Sequence, residues 1–128
     1  MSYYFATTVD LPFDEAIEKV TAALQKEGFG VLTEIDVKGT LHKKLGVDFR
    51  NYRILGACNP KMAYQALQNE SHIGTMLPCN VIIQETDAGV EVAAVDPVAS
   101  MSAIENAALG GVAQEVRAML QRVIEQLS

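Results

Sequence analysis

Residues 56–81, GACNPKMAYQALQNESHIGTMLPCNV, hold both cysteines of the chain, and each is followed by asparagine: Cys58-Asn59 and Cys79-Asn80. Two thiols can bind a metal, form a redox couple or supply a nucleophile, and two side-chain amides can hold a carbonyl or a small polar ligand. The cysteines are 21 residues apart, so the C-x-x-C of a thioredoxin-like couple is missing. A tetrahedral metal site needs four ligands, or three and a water. Cys58 and Cys79 give two, and Glu34, Asp36, Asp96 or a histidine would have to complete the set. An enzyme with Cys58 or Cys79 as nucleophile, assisted by Glu34 or Asp36, needs a base beside the thiol. Neither His42 nor His72 is placed for that. The competing reading is burial, since free cysteine behaves as a small core residue.

The neighbouring polar residues divide in the same way. Asn59 precedes proline at a helix start and reads as an N-cap. Asn80 begins a strand, where asparagine is disfavoured, so its amide either satisfies loop backbone or faces a pocket. Glu34 and Asp36 lie two apart on one strand and share a face. Such a pair can run acid–base chemistry or hold a divalent cation; an exposed sheet face is the commoner explanation. Asp96-Pro97 has the form of a turn or helix-start device.

The elements that must position these groups follow from periodicity. Residues 3–9 are aromatic and β-branched and predict a strand. Asp10-Leu11-Pro12 opens a helix carrying Phe13, Ala16, Ile17, Val20 and Leu24 on one face, and Gly28 stops it. A strand over 30–37 should place Val31, Thr33, Ile35 and Val37 on one side. A short helix over 39–45 follows, with Leu41 and Leu45 spaced to pack inward. Residues 51–58 form a third strand, Pro60 onwards a helix, and 69–76 a loop. Strands over 80–85 and from Val90 flank the turn Asp87-Ala88-Gly89. A helical turn over 98–102 and a long amphipathic helix from Ile104 complete the chain. Gly110-Gly111 inside that helix predicts a close helix–sheet contact or a kink. The order β-α-β-(α)-β-α-β-β-α over residues 1–128 describes a single α+β domain, a two-layer sandwich. No G-x-G-x-x-G or P-loop pattern is present.

The bulk properties narrow the partners. With 49% apolar and 20% charged residues the chain can build a real core. A net charge of −6 repels nucleic acid and anionic lipid, so neither is expected. The start MSYYFATTVD lacks the basic and apolar regions of a signal peptide. Two cysteines without such a signal place the protein in the reducing cytoplasm, with free thiols. The apolar content in so short a chain also predicts a homodimer.

Several stretches resemble one family. GFGVLTEIDVK at 28–38, KKLGVDFRNYRILGACNPKMAYQAL at 43–67, GTMLPCNVII at 74–83 and VDP at 95–97 are similar to the family known as domain of unknown function 302. The resemblance implies a small α+β protein, a homodimer, with no assigned activity and no known cofactor. Its pattern falls on Glu34, Asp36, Lys44, Leu45, Gly46, Tyr52, Cys58, Asn59, Pro60, Pro78, Cys79, Asn80, Asp96 and Pro97. His42 and His72 lie outside it, which argues against either as an essential ligand. Together these observations favour a domain that binds a small molecule or metal ion at a Cys-Asn cluster. A thiol enzyme and a structural homodimer without ligand are the alternatives.

Overall fold

Pro12 and Gly28 bracket the first helix for the reasons their backbones supply. The Pro12 carbonyl accepts from Ala16 N–H at 2.9 Å, and proline needs no amide donor there. At the other end Gly28 has φ +86°, the left-handed conformation that glycine adopts without steric cost. Its N–H donates to the Gln25 carbonyl, and that of Phe29 to Leu24, both at 3.0 Å. Phe29 then turns into the core beside Leu24, closing the apolar contact typical of this helix stop.

The computed structural model describes residues 2–128. In chain order its elements are β1 (Tyr4–Val9), α1 (Phe13–Lys26), β2 (Gly30–Asp36), α2 (Val37–Leu45), β3 (Tyr52–Cys58) and α3 (Pro60–Asn69). A 3-10 helix (Ser71–Met76), β4 (Cys79–Thr86), β5 (Gly89–Val95), α4 (Pro97–Ser100) and α5 (Ala107–Leu127) follow. The five strands form one sheet in the order β1-β5-β4-β3-β2, and every neighbouring pair is antiparallel.

Period-two alternation gives the sheet two different faces. On the inner face Val9, Leu55, Ala57, Cys79, Val81, Ile83, Val90, Val92 and Ala94 pack with Ala16, Val20 and Leu24 of α1 and Val116, Leu120 and Val123 of α5. The outer face lies away from α1 and α5. A row of apolar side chains crosses it through all five strands: Ala6 opposite Ala93, Ala93 opposite Ile82, Ile82 opposite Ile54, Ile54 opposite Ile35. The α+β two-layer sandwich expected from the pattern is the fold observed.

Four local expectations differ. Residues 71–76 are a 3-10 helix rather than a loop, because Ile73 is fully buried against Ala66 and Leu109. The register of β2 shifts between Val31 and Thr33. Val31 therefore packs against the core, while Thr33 stands opposite Gly56 and Ile35 opposite Ile54 on the outer face. A bulge of this kind breaks the alternation the sequence pattern implies. Helix α2 starts at Val37 and buries no side chain; Leu45 is 69% exposed rather than packed inward. That helix continues directly from edge strand β2 and adds nothing to either core cluster. Finally, a side chain at Gly110 or Gly111 would meet nothing within 4 Å, so no close helix–sheet contact sits there.

Candidate functional site

The two thiols do converge. Cys58 ends β3 and Cys79 opens β4, and the pairing of Ala57 with Cys79 places them on adjoining strand ends. Both line one small cavity of about 30 Å³. Asn59, Met62 and Met101 border it as well. The cavity holds about one water-sized body, far below the volume of an organic ligand site. Both cysteines are free; Cys79 is buried and Cys58 half-buried. The Cys79 thiol is pushed up to about 11, first by burial and then by the neighbouring Cys58.

Asn59 is the helix cap the sequence predicts. Its Oδ1 accepts from Met62 N–H at 3.3 Å, with Pro60 opening α3. Its amide nitrogen donates to Met119 Sδ at 3.7 Å. The Gly28 turn lies close: a Cβ there would sit 3.1 Å from Asn59 Nδ2. A helix stop, a strand end and a helix start thus fix one wall of the cavity.

Asn80 does not join the thiols. Cys79 and Asn80 are consecutive in β4, so their side chains leave opposite faces of the sheet. Cys79 packs into the core, and Asn80 is exposed on the outer face. The expected cluster of two thiols and two amides is therefore split by the strand itself. Asn80 instead borders an outer groove of about 390 Å³. Tyr3, Tyr4, Tyr52, Gln84 and Glu91 border the same groove, over Ile82 and Ala93. Tyr3 and Tyr4 meet edge to face with centroids 5.0 Å apart. Arg50 Nε donates to Gln84 Oε1, and Gln84 Nε2 to Glu91 Oε1, both at 2.9 Å. This chain of hydrogen bonds fixes the Glu91 carboxylate toward the groove's polar side.

The other candidate carboxylates are held elsewhere. Glu34 and Asp36 share a face as expected, and Arg53 holds both: its Nη1 is 3.0 Å from Glu34, its Nε 3.8 Å from Asp36. Asp36 also caps α2, accepting from Gly39 N–H at 3.0 Å. Glu34 pairs with Leu55, three residues from Cys58, which is about 10 Å along the strand. Neither carboxylate can act as a base for a thiol at that range. Asp96 is buried at the end of β5. It accepts from Val98 N–H at 3.0 Å and from Arg117 Nε at 3.1 Å, and the Arg117 guanidinium lies 5.1 Å from the Phe5 ring. Asp96 is thus a cap and an ion-pair partner. Among the described residues, no group of three or more His, Cys, Asp or Glu side chains is placed to hold a metal ion.

The groove residues Tyr3, Tyr4, Tyr52, Gln84 and Glu91 carry no local motif. Tyr52, Gln84 and Glu91 align only through the β3-β4-β5 register, which a linear pattern does not display. Met62 and Met101 reach the cavity for a similar reason: α3 and the end of α4 bring them there from separate parts of the chain.

A five-stranded antiparallel sheet, covered on one face by two long helices and with both cysteines at adjoining strand ends, defines a small α+β family. The profile described as domain of unknown function DUF302 matches residues 5–127, and the chain belongs to that family. It is similar to the crystal structure of an uncharacterized conserved DUF302 protein from Bacillus stearothermophilus. The TM-score is 0.93 at 26% identity, with all of both chains covered. No curated protein matches the chain. Among the described residues, no helix is long and apolar enough to cross a membrane.

Proposed function

We propose that this domain binds a small organic cation, an amine or quaternary ammonium, in the outer groove. One observation carries the reading: three tyrosines and the Glu91 carboxylate border a single groove of about 390 Å³. That volume falls within the range of small-ligand sites. Aromatic faces attract a cation through their quadrupole, and a carboxylate supplies the matching charge. Asn80 and Gln84 add hydrogen-bonding amides at the same rim. A net charge of −6 steers cations toward the surface rather than away. This reading keeps Asn80 as a ligand residue and moves the site off the thiols.

Calorimetry with choline tests it against 3,3-dimethyl-1-butanol, its neutral isostere. Choline binding that weakens in Glu91→Gln and Tyr52→Leu supports the assignment. Equal binding of the neutral isostere, or no binding of choline, overturns it.

The apolar row Ala6–Ala93–Ile82–Ile54–Ile35 on the same face favours a second reading, in which two copies pack face to face as a homodimer. Sheets stack in this way when inner faces are apolar. Light scattering returning twice 13.9 kDa, reduced to the monomer mass by Ile54→Lys, supports it; a monomer at micromolar concentration removes it.

A further inference from the structure

The cavity behind the outer groove, on the far side of the sheet, has a composition that neither reading uses. Four sulfur-bearing side chains line it: Cys58, Cys79, Met62 and Met101. A fifth, Met119, lies within 3.7 Å of Asn59 at the same wall. Thiolate and thioether sulfurs are soft donors that select monovalent copper over ions preferring oxygen or imidazole. Among the described residues, no carboxylate or histidine borders the cavity. Its volume of about 30 Å³ suits a single ion and excludes larger ligands.

We propose that Cys58 and Cys79 bind one cuprous ion in this cavity, with Met62 and Met101 as neighbouring thioether donors. Cys58 is half-buried and provides the entry side; Cys79 forms the closed end. Binding breaks two S–H bonds, forms two copper–sulfur bonds and releases two protons to solvent. No group is oxidised or reduced. The resulting site carries one net negative charge. It lies beside the N-terminus of α3, since Cys58 directly precedes the Asn59 cap, and a helix N-terminus favours negative charge. A neutral, buried Cys79 thiol does not bar this, because metal binding drives ligand deprotonation and makes affinity pH-dependent.

The test uses the purified full chain, reduced and anaerobic, in competition with bicinchoninate for cuprous ion. The expected result is one ion per chain, two protons released per ion, and binding that strengthens as pH rises. Cys58→Ser lies at the half-buried side and should keep the fold, verified by circular dichroism. It loses the competition, as does the chain alkylated at Cys58. Met62→Leu and Met101→Leu keep the apolar volume and weaken binding without abolishing it. Cuprous binding that persists undiminished in folded Cys58→Ser overturns the proposal. So does zinc binding as tight as that of cuprous ion, or no cuprous binding at all.

Discussion

Asp96 gives the sharpest test of how the candidate carboxylates are employed. Its side chain is 11% exposed and makes two contacts: the cap to Val98 and the ion pair to Arg117. Losing an N-cap of this kind costs about 1 kcal/mol. Arg117 is 37% exposed, so solvent screens the pair and its share is at most about 1 kcal/mol. Asp96→Ala removes both, about 2 kcal/mol. For 128 residues that lowers the melting temperature by about 7 °C. Asp96→Asn keeps the capping oxygen and loses only the charge, so its melting point falls by about half as much. Thermal unfolding of Asp96→Asn, Arg117→Gln and the double variant forms a cycle whose coupling should be about 1 kcal/mol or less, but above zero. If Asp96→Asn melts as low as Asp96→Ala, or the coupling is nil, the division between cap and ion pair is wrong.

Asn59→Ala loses its cap and about 1 kcal/mol, whereas Asn59→Asp caps equally and melts near the parent. Asn80→Asp, on the outer face, leaves both the melting temperature and the alkylation rate of Cys58 unchanged. Gly110→Ala and Gly111→Ala each stabilise α5 by about 0.5–1 kcal/mol in denaturant unfolding, since a Cβ there meets nothing within 4 Å. The Cys79 thiol ionises at 9.0 ordinarily and at about 11 in the fold. Below pH 9 it is neutral in both states and its contribution is complete. From pH 9 to 11 only the unfolded chain ionises, so stability falls with rising pH by about 2–3 kcal/mol in all. Cys79→Ala should flatten that alkaline slope in unfolding titrations; an unchanged slope would place its origin elsewhere.

Where local chemistry sets the structure, the linear pattern was enough to read it. Proline and glycine at the ends of α1, Asn59-Pro60 before α3 and the Asp87-Ala88-Gly89 turn all appear where backbone preferences put them. The convergence of Cys58 and Cys79 is legible because Cys58 ends one strand and Cys79 opens the next, on either side of α3 in the sequence. What escaped depended on pairing. The β2 bulge leaves no local mark, yet it decides which face Val31, Thr33 and Ile35 occupy. Asn80 looked like a partner of Cys79 because sequence adjacency suggests proximity, whereas the pleat sends neighbours to opposite sides. Arg53 and Arg117 carry no local mark of the carboxylates they neutralise, since each meets its partner only through tertiary structure.

The place of β1 in the sheet also constrains how the chain assembles during synthesis. Strands β2, β3 and β4 each pair with the next in sequence, so each finds a partner soon after it emerges. β1 is made first but pairs with β5, and even its nearest match, Val9 with Val90, is about eighty residues away. At translation speeds of roughly 5–20 residues per second, β1 waits on the order of 4–16 seconds for its only sheet neighbour. Through that interval the part of the apolar side of α1 (Ala16, Val20 and Leu24) that packs on α5 and β5 waits as well, while its contacts with β2 and β4 can form earlier. The β1–α1 segment is consequently open to chaperone capture and to misassociation between nascent chains until β5 and α5 arrive.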